Sequence, residues 1–209
     1  MLLANLGCGF VAPKTWVNVD SAVGARLAKW PALLRLANRL GWIESSDWSP
    51  DIQIQDLTKP LKFKDNALDA VYMSHTLEHF YLEDGRALLR ECFRCLKPGQ
   101  PVRVLVPNLE PVVQDYLRGH LRATDLLTTL WATYPRHQSR LKQLLSKFFT
   151  FPHLTMFDPE TLGHELKTAG FSEVSQKAFL ESRIPRLDEV ELEDRLGGAI
   201  IFEGVKPQS

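Results

Sequence analysis

Polar and apolar positions change their period several times along this chain, and each change marks an element. Leu2 to Leu6 is a short apolar run that starts almost at the first residue and ends on Gly7-Cys8-Gly9, the pattern of a strand running into a glycine turn. Trp16-Val17-Asn18-Val19-Asp20 reads as a second strand ending on a carboxylate. Only Phe10 to Thr15, including Pro13, separates the two, whereas a parallel crossover with its helix takes about ten residues or more. The first crossover is therefore expected to be a tight loop or a single helical turn. From Val23 to Leu40 the period is helical, with Leu27, Leu33, Leu34, Leu36, Ala37 and Leu40 interleaved with Arg26, Lys29, Arg35 and Arg39. Pro31 should divide that helix, and Gly41 should stop it.

Asp51 to Asp56 alternates as a strand does and again closes on a carboxylate, followed by Leu57. Leu68 to His75 is a further strand rich in β-formers. Glu83 to Leu96 carries Leu88, Leu89, Cys92, Phe93 and Leu96 on one helical face and is stopped by Lys97-Pro98-Gly99; Val102 to Val106 then forms a strand that Pro107-Asn108 ends. Strand, helix and strand in succession predict a mostly parallel sheet with helices on both faces. Helices are expected at Glu110–Arg118, Ala123–Tyr134 and Ser139–Phe149, and another opens with Asp158 as cap and Pro159 at its first position, closing at Ala169-Gly170-Phe171. Two strands, Glu173–Phe179 and Ala199–Lys206, complete the list. No repeat or boundary interrupts the pattern, so a single α/β domain over 1–209 is expected, with 110–155 as a helical cap on the substrate side.

Composition narrows the function. The chain is 44% apolar, and its 25 Lys+Arg balance 25 Asp+Glu, so the overall charge gives no reason to expect nucleic acid as a partner. The three cysteines, Cys8, Cys92 and Cys95, and the start Met1-Leu2-Leu3-Ala4-Asn5, with no basic region or cleavable apolar run, fit a reducing, cytoplasmic setting. No apolar run reaches the ~20 residues a membrane helix requires.

Charge is uneven locally: Arg118, Arg122, Arg136, Arg140, Lys142 and Lys147 face only Asp125 across 118–150, and acid collects from Glu181 to Asp194. Residues 139–149 are thus a basic amphipathic helix that serves as a solvated lid or meets an anionic substrate, partner or membrane surface.

Glycines at 7 and 9 let a ligand approach the backbone, and Asp20 can accept from two vicinal hydroxyls, which together indicate a nucleoside. His75 and His79 are candidate bases near the expected mouth, with His153 from the second half. His75, Glu78 and His79 have metal-ligand spacing, yet one helical turn is an incomplete ligand set, and no metal is expected from the sequence. Cys92 and Cys95 form a C-x-x-C but lie on an apolar helix face, where core thiols are expected. Trp16, Trp30, Trp42 and Trp48 are read first as cover for the sheet and second as an aromatic wall over a substrate.

The ordered motifs Asn5-Leu6-Gly7-Cys8-Gly9, Trp16-Val17-Asn18-Val19-Asp20, Asp56 with Pro60-Leu61 and Asp69-Ala70-Val71-Tyr72, Ser74-His75-x-Leu77-Glu78-His79, Leu96-Lys97-Pro98-Gly99 and Val106-Pro107-Asn108 resemble a bacterial subgroup of the class I S-adenosylmethionine-dependent methyltransferases. The resemblance is dense over residues 5–110 and looser over 154–171 and 199–206. It implies a Rossmann-like fold with a shortened first crossover and a helical insert after the fifth strand. It also implies S-adenosyl-L-methionine as cofactor and S-adenosyl-L-homocysteine as product. Leu6, Gly7, Cys8 and Gly9 would wrap the methionine and ribose, Asp20 with Ser21 the ribose hydroxyls, and Asp56 and Leu57 the adenine. Ser74 and His75 would line the methyl group, with Asn108 and His153 on the substrate side. The turn departs from the family pattern, since Phe10 stands where a third glycine is usual and Asn5 where an acid is.

The acceptor expected is a small molecule or sugar-like hydroxyl, because the Asn/Asp-Pro-Pro-aromatic signature of nitrogen methylation is not reproduced at Pro107-Asn108. Two other readings remain at this point: a nucleoside-binding module without turnover, and an NAD-dependent oxidoreductase.

Overall fold

In the computed structural model, which describes residues 1–40, 47–134 and 151–208, the first apolar run forms β1 (Leu3–Leu6), buried throughout. β2 (Val17–Asp20) lies parallel beside it, and residues 7–16 between them hold turns only, as their number and Pro13 require. α1 (Val23–Leu27) and α2 (Pro31–Arg39) follow, with the break at Pro31, which becomes the first residue of α2. Of the alternating run at 51–56 only two residues join the sheet, as β3 (Gln53–Ile54). Gln55 N–H makes the last bond to β2, at Asp20 O, and the run ends there because Asp56 caps a turn at Thr58.

β4 (Ala70–Ser74), α3 (Leu82–Cys95) and β5 (Pro101–Pro107) match the expected strand, helix and strand, and α4 (Leu109–Leu117) begins under the side-chain cap of Asn108. α5 (Ala123–Thr129) is shorter than the period of 123–134 predicts. Trp131 adopts a left-handed backbone (φ 54°) and Ala132 N–H returns to Leu127 O, a pairing that terminates a helix. The expected helix 139–149 and Trp42 lie outside the described residues. α6 (Pro159–Thr168) opens as its sequence predicts, with the Asp158 side chain accepting from Thr161 N–H. β6 (Ser172–Gln176) and β7 (Ala199–Val205) finish the sheet. The strand order is β3-β2-β1-β4-β5-β7-β6; β7 runs antiparallel to both neighbours and the other pairs are parallel.

Two cores sandwich the sheet. On one face Ala4, Leu6, Val71, Met73, Val102 and Val104 pack with Leu88, Leu89 and Cys92 of α3 and Leu162 and Leu166 of α6. Cys92 and Cys95 are free thiols, fully buried, as a core reading expects. On the opposite face Leu3, Ala70 and Tyr72 meet Trp16, Ile184, Leu187 and Val190. The last three belong to the long connection 177–198 between β6 and β7, which carries two 3-10 turns, Leu187–Glu189 and Glu193–Arg195. Here an irregular excursion covers β1 and β4.

The excursion is fastened by Arg103, a β5 residue with no exposure at all. Its guanidinium donates to both oxygens of Glu191 (2.6 and 2.7 Å) and to the carbonyls of Ala178 and Glu181 (2.8 and 3.0 Å), and it stands 3.5 Å from Glu203 Oε2. A buried cation is tolerated when its donors are matched in this way.

Candidate functional site

The carboxyl ends of β1, β2 and β4 converge on one point. After β1 the chain turns through Gly7 (φ 68°) and Gly9 (φ 55°), a left-handed conformation that glycine adopts without strain. Gly7 N–H donates to Val19 O at 2.8 Å, which ties the turn to β2. A Cβ on Gly7 would lie 2.2 Å from Thr76 Oγ1, so glycine is also required by packing. Thr76 in turn lies 3.2 Å from Leu6 O and 3.1 Å from Ser74 O, locking the ends of β1 and β4 together.

Asp20 closes the turn from β2: Oδ2 accepts from Gly9 N–H at 2.9 Å and Oδ1 from Ala22 N–H at 2.7 Å. Each oxygen keeps a further lone pair for a ligand hydroxyl. Ser21 lies next to it, its carbonyl accepting from Arg26 Nε. Cys8 is buried, and burial first, then the Asp20 charge, push its thiol well above the usual range, so it is a turn residue held neutral. Asp56 follows β3; Thr58 N–H and Oγ–H both donate to its Oδ1, which lowers its pKa and leaves Oδ2 without a partner from that turn. Leu57 is 6% exposed and belongs to the main core.

Ser74 ends β4 buried, on the same sheet face as Tyr72. His75 follows with φ 49°, a left-handed backbone uncommon outside glycine. That conformation places its ring between two groups: Nε2 is 2.8 Å from Arg195 O and Nδ1 is 3.3 Å from Glu78 Oε1. Burial lowers the His75 pKa, but Glu78 and the Arg195 carbonyl outweigh it and hold the group above the ordinary imidazole range. The Arg195 guanidinium reaches back over the glycine turn, with Nη2 3.6 Å from the position a Gly9 Cβ would take.

Beyond His75 lies a second group. Glu78 is 1% exposed, and apart from the His75 contact at Oε1 its carboxyl has no hydrogen-bond partner among the described residues. His153 Nε2 stands 4.0 Å from Glu78 Oε1, and the His153 and His79 rings are 5.1 Å apart between centroids. His79 Nδ1 lies 3.2 Å from Pro152 O. Burial lowers the His153 pKa against the opposing pull of Glu78, so its ring is neutral near pH 7. Glu78 O also accepts from Leu154 N–H (2.7 Å) and Thr155 N–H (3.1 Å), which pins the segment bearing His153 to the end of β4.

Thus Leu6, Gly7, Cys8, Gly9, Asp20, Ser74 and His75 lie together at the carboxyl ends of β1, β2 and β4, with Asp56 on the β3 side through the Gln55–Asp20 backbone bond. His79 and His153 meet around Glu78. Asn108 sits at the end of β5, where its side chain caps α4 and its N–H donates to Gly198 O. His75 and His79 do not share a helical face, because His75 precedes the 3-10 turn Leu77–His79 and has a left-handed backbone. Sequence reasoning did not find Thr76, Glu78 as a buried carboxylate, or Arg195. For Arg195 the acidic run 181–194 around it gave a signal of the wrong sign.

Residues 4–103 match the family described as a methyltransferase domain. No curated protein sequence matches the chain. Among solved structures, the chain is similar to the Haloferax volcanii complex of the Trm112 methyltransferase activator with a methyltransferase (18% identity, TM-score 0.50, covering 99% of this chain and 83% of that one). It is also similar to an S-adenosylmethionine-dependent methyltransferase of Thermotoga maritima (18%, 0.51, 98% and 81%). A third such structure comes from Archaeoglobus fulgidus (16%, 0.52, 98% and 85%). At these identities the likeness concerns the fold.

Proposed function

We propose that the chain is a class I S-adenosylmethionine-dependent methyltransferase and that it methylates a hydroxyl of a small, sugar-like acceptor between His75 and His153. The observation that carries this reading is the trio of imidazoles gathered around the buried Glu78 carboxylate, next to the Ser74–His75 strand end. A hydroxyl must lose a proton as it is alkylated, and an imidazole beside a carboxylate suits that task.

The residues present fit the cofactor. Within 4 Å of the position a Gly9 Cβ would take, the one neighbouring side chain among the described residues is Arg195, and Asp20 has lone pairs left for ribose hydroxyls. When bound, S-adenosylmethionine supplies a sulfonium whose methyl is already electrophilic. In this reading Gly7–Gly9 hold its backbone-facing side, with Leu6 at the strand end and Ser21 beside Asp20. Asp56, with Leu57 behind it, receives the adenine amine. Arg195 faces the methionine carboxylate. His75, held at both ring nitrogens, orients Glu78 and the mouth. His79 keeps Nε2 free while Nδ1 donates to Pro152 O, and so accepts the acceptor's proton. Asn108 and His153 border the acceptor, and the described residues 110–134 and 151–155 stand on its side of a single domain. Orientation of this kind supplies roughly 7–11 kcal/mol of a barrier.

The test has two arms. Calorimetry with S-adenosylhomocysteine should show binding that Asp20→Asn weakens by about 1–3 kcal/mol, the value of a charge-assisted hydrogen bond. Incubation with S-adenosylmethionine and a panel of sugar alcohols, phenols, amines and thiols should release S-adenosylhomocysteine with hydroxyl acceptors. Turnover confined to amines or thiols overturns the acceptor assignment, and unchanged affinity in the Asp20 variant overturns the ribose contact.

A further inference from the structure

We propose that Glu78, His79 and His153 bind a divalent cation of the zinc class, with His75 as a fourth donor. The first observation is the carboxyl itself: Glu78 is 1% exposed, His75 Nδ1 stands 3.3 Å from Oε1, and Oε2 has no hydrogen-bond partner among the described residues. A carboxyl withdrawn from water and short of partners is costly, so the position calls for a positive charge. The second is the donor geometry. One ligand atom each from Glu78, His79 and His153 lies within 4.8 Å of the others. A tetrahedral ion with bonds of about 2.0–2.1 Å separates its donors by about 3.3–3.4 Å. His75 Nδ1 and Glu78 Oε1 are already 3.3 Å apart, and His153 Nε2 is 4.0 Å from the same oxygen. Side-chain movements on the order of 1 Å would complete the set.

The third observation lies behind the ligands. His79 Nδ1 is bonded to Pro152 O and His75 Nε2 to Arg195 O, so each ring is oriented by a backbone carbonyl, with His75 Nδ1 turned toward Glu78. Metal-binding histidines are oriented by bonds of this kind. His75 as an imidazolium could supply the missing charge alone, but Glu78 Oε2 would still lack a partner and the approach of His79 and His153 would be unexplained. One carboxylate with two or three imidazoles suits zinc, cobalt or manganese better than magnesium, which prefers oxygen donors.

The inference deepens the acceptor reading above, although ion binding does not depend on it. A cation here would add the acceptor oxygen as a fifth ligand and ease loss of its proton to solvent, with His79 a ligand in place of the base. The oxygen–carbon bond then forms as the carbon–sulfur bond breaks, and the sulfonium becomes a neutral thioether.

The chelator-stripped full chain should be titrated with Zn²⁺ by calorimetry and with Co²⁺ by visible absorption. One ion per chain is expected, with intense Co²⁺ bands typical of low-coordinate imidazole sites. His79→Ala and His153→Ala should each weaken Zn²⁺ binding by about 100-fold or more while circular dichroism stays native, and His164→Ala, on an exposed helix face, should bind as wild type. Absence of stoichiometric binding, or equal binding by the His79 and His153 variants and wild type, overturns the site. A bound ion without hydroxyl methylation would count against the acceptor reading and leave the site standing.

Discussion

Replacing Arg103 with methionine tests how the sheet and the excursion are joined. The side chain is fully buried, and its guanidinium satisfies Glu191 twice, two carbonyls of the excursion, and the approach of Glu203. Methionine keeps much of the volume but leaves Glu191 and Glu203, themselves 1% and 6% exposed, as buried acids without their cation. Removing one partner of such a pair costs about 3–5 kcal/mol, because the remaining charge is uncompensated. For a domain of this size each kcal/mol lowers Tm by about 2–4 °C, so a fall of about 6–20 °C is expected. Urea unfolding followed by tryptophan fluorescence would measure the loss, since Trp16 lies under the excursion with its indole N–H on Arg186 O. Glu181→Ala is the control: Arg103 uses the Glu181 carbonyl, and the carboxylate is exposed, so a loss under about 1 kcal/mol is expected. The variant should also alter the His75 ring signal in NMR, because Arg195 O is carried by the same excursion. An Arg103→Met protein within about 1 kcal/mol of wild type would refute the claim that this ion cluster fastens the fold.

Two further outcomes follow from the site and its surroundings. Gly7→Ala should destabilise by about 2–5 kcal/mol, from the left-handed backbone plus overpacking against Thr76. Combining it with Thr76→Ala should recover part of that, and strictly additive losses in thermal unfolding would show that the two side chains do not compete. For pH, Arg86 donates two hydrogen bonds to Glu165 and holds the Glu165 carboxyl below the usual range. A depressed folded-state pKa means this stabilisation is fully present above the unfolded value of about 4.3 and is lost as pH falls through the folded value. Glu165→Gln should therefore flatten the acid limb of a stability–pH curve, and an unchanged slope would remove Glu165 from the account.

Much of the architecture could be read from local pattern, because its determinants are local. Pro31 breaks α1 from α2, Asp158-Pro159 starts α6, and a six-residue spacer at Phe10–Thr15 leaves no room for a crossover helix. The glycine turn and Asp20 were legible for the same reason, both lying within one stretch of sequence. Arg103 was not. In Val102-Arg103-Val104-Leu105-Val106 it reads as the polar tooth of a half-exposed strand, and nothing nearby reveals that its face is covered by residues 75 to 88 positions further on. Glu78 posed the same difficulty: its neighbours His75 and His79 suggest one incomplete turn, and the group that changes the picture, His153, arrives from the second half of the chain. The periodicity of 123–134 failed for a different reason, since Trp131 takes a left-handed turn that helical spacing does not disclose.

The excursion from β6 to β7 also sets an order of events during synthesis. β1, β4 and β5 have all emerged once Pro107 is made, yet Leu3 and Tyr72 wait for Ile184, Leu187 and Val190 to cover them, and Arg103 waits 88 residues for Glu191. At about 5–20 residues per second that delay is roughly 4–18 s, during which a nascent sheet shows one apolar face and an unneutralised guanidinium. Because Arg195 and its carbonyl arrive on the same late segment, the pocket at the glycine turn reaches its final form only as the chain is completed, and premature termination anywhere before residue 191 would leave an aggregation-prone fragment rather than a smaller enzyme.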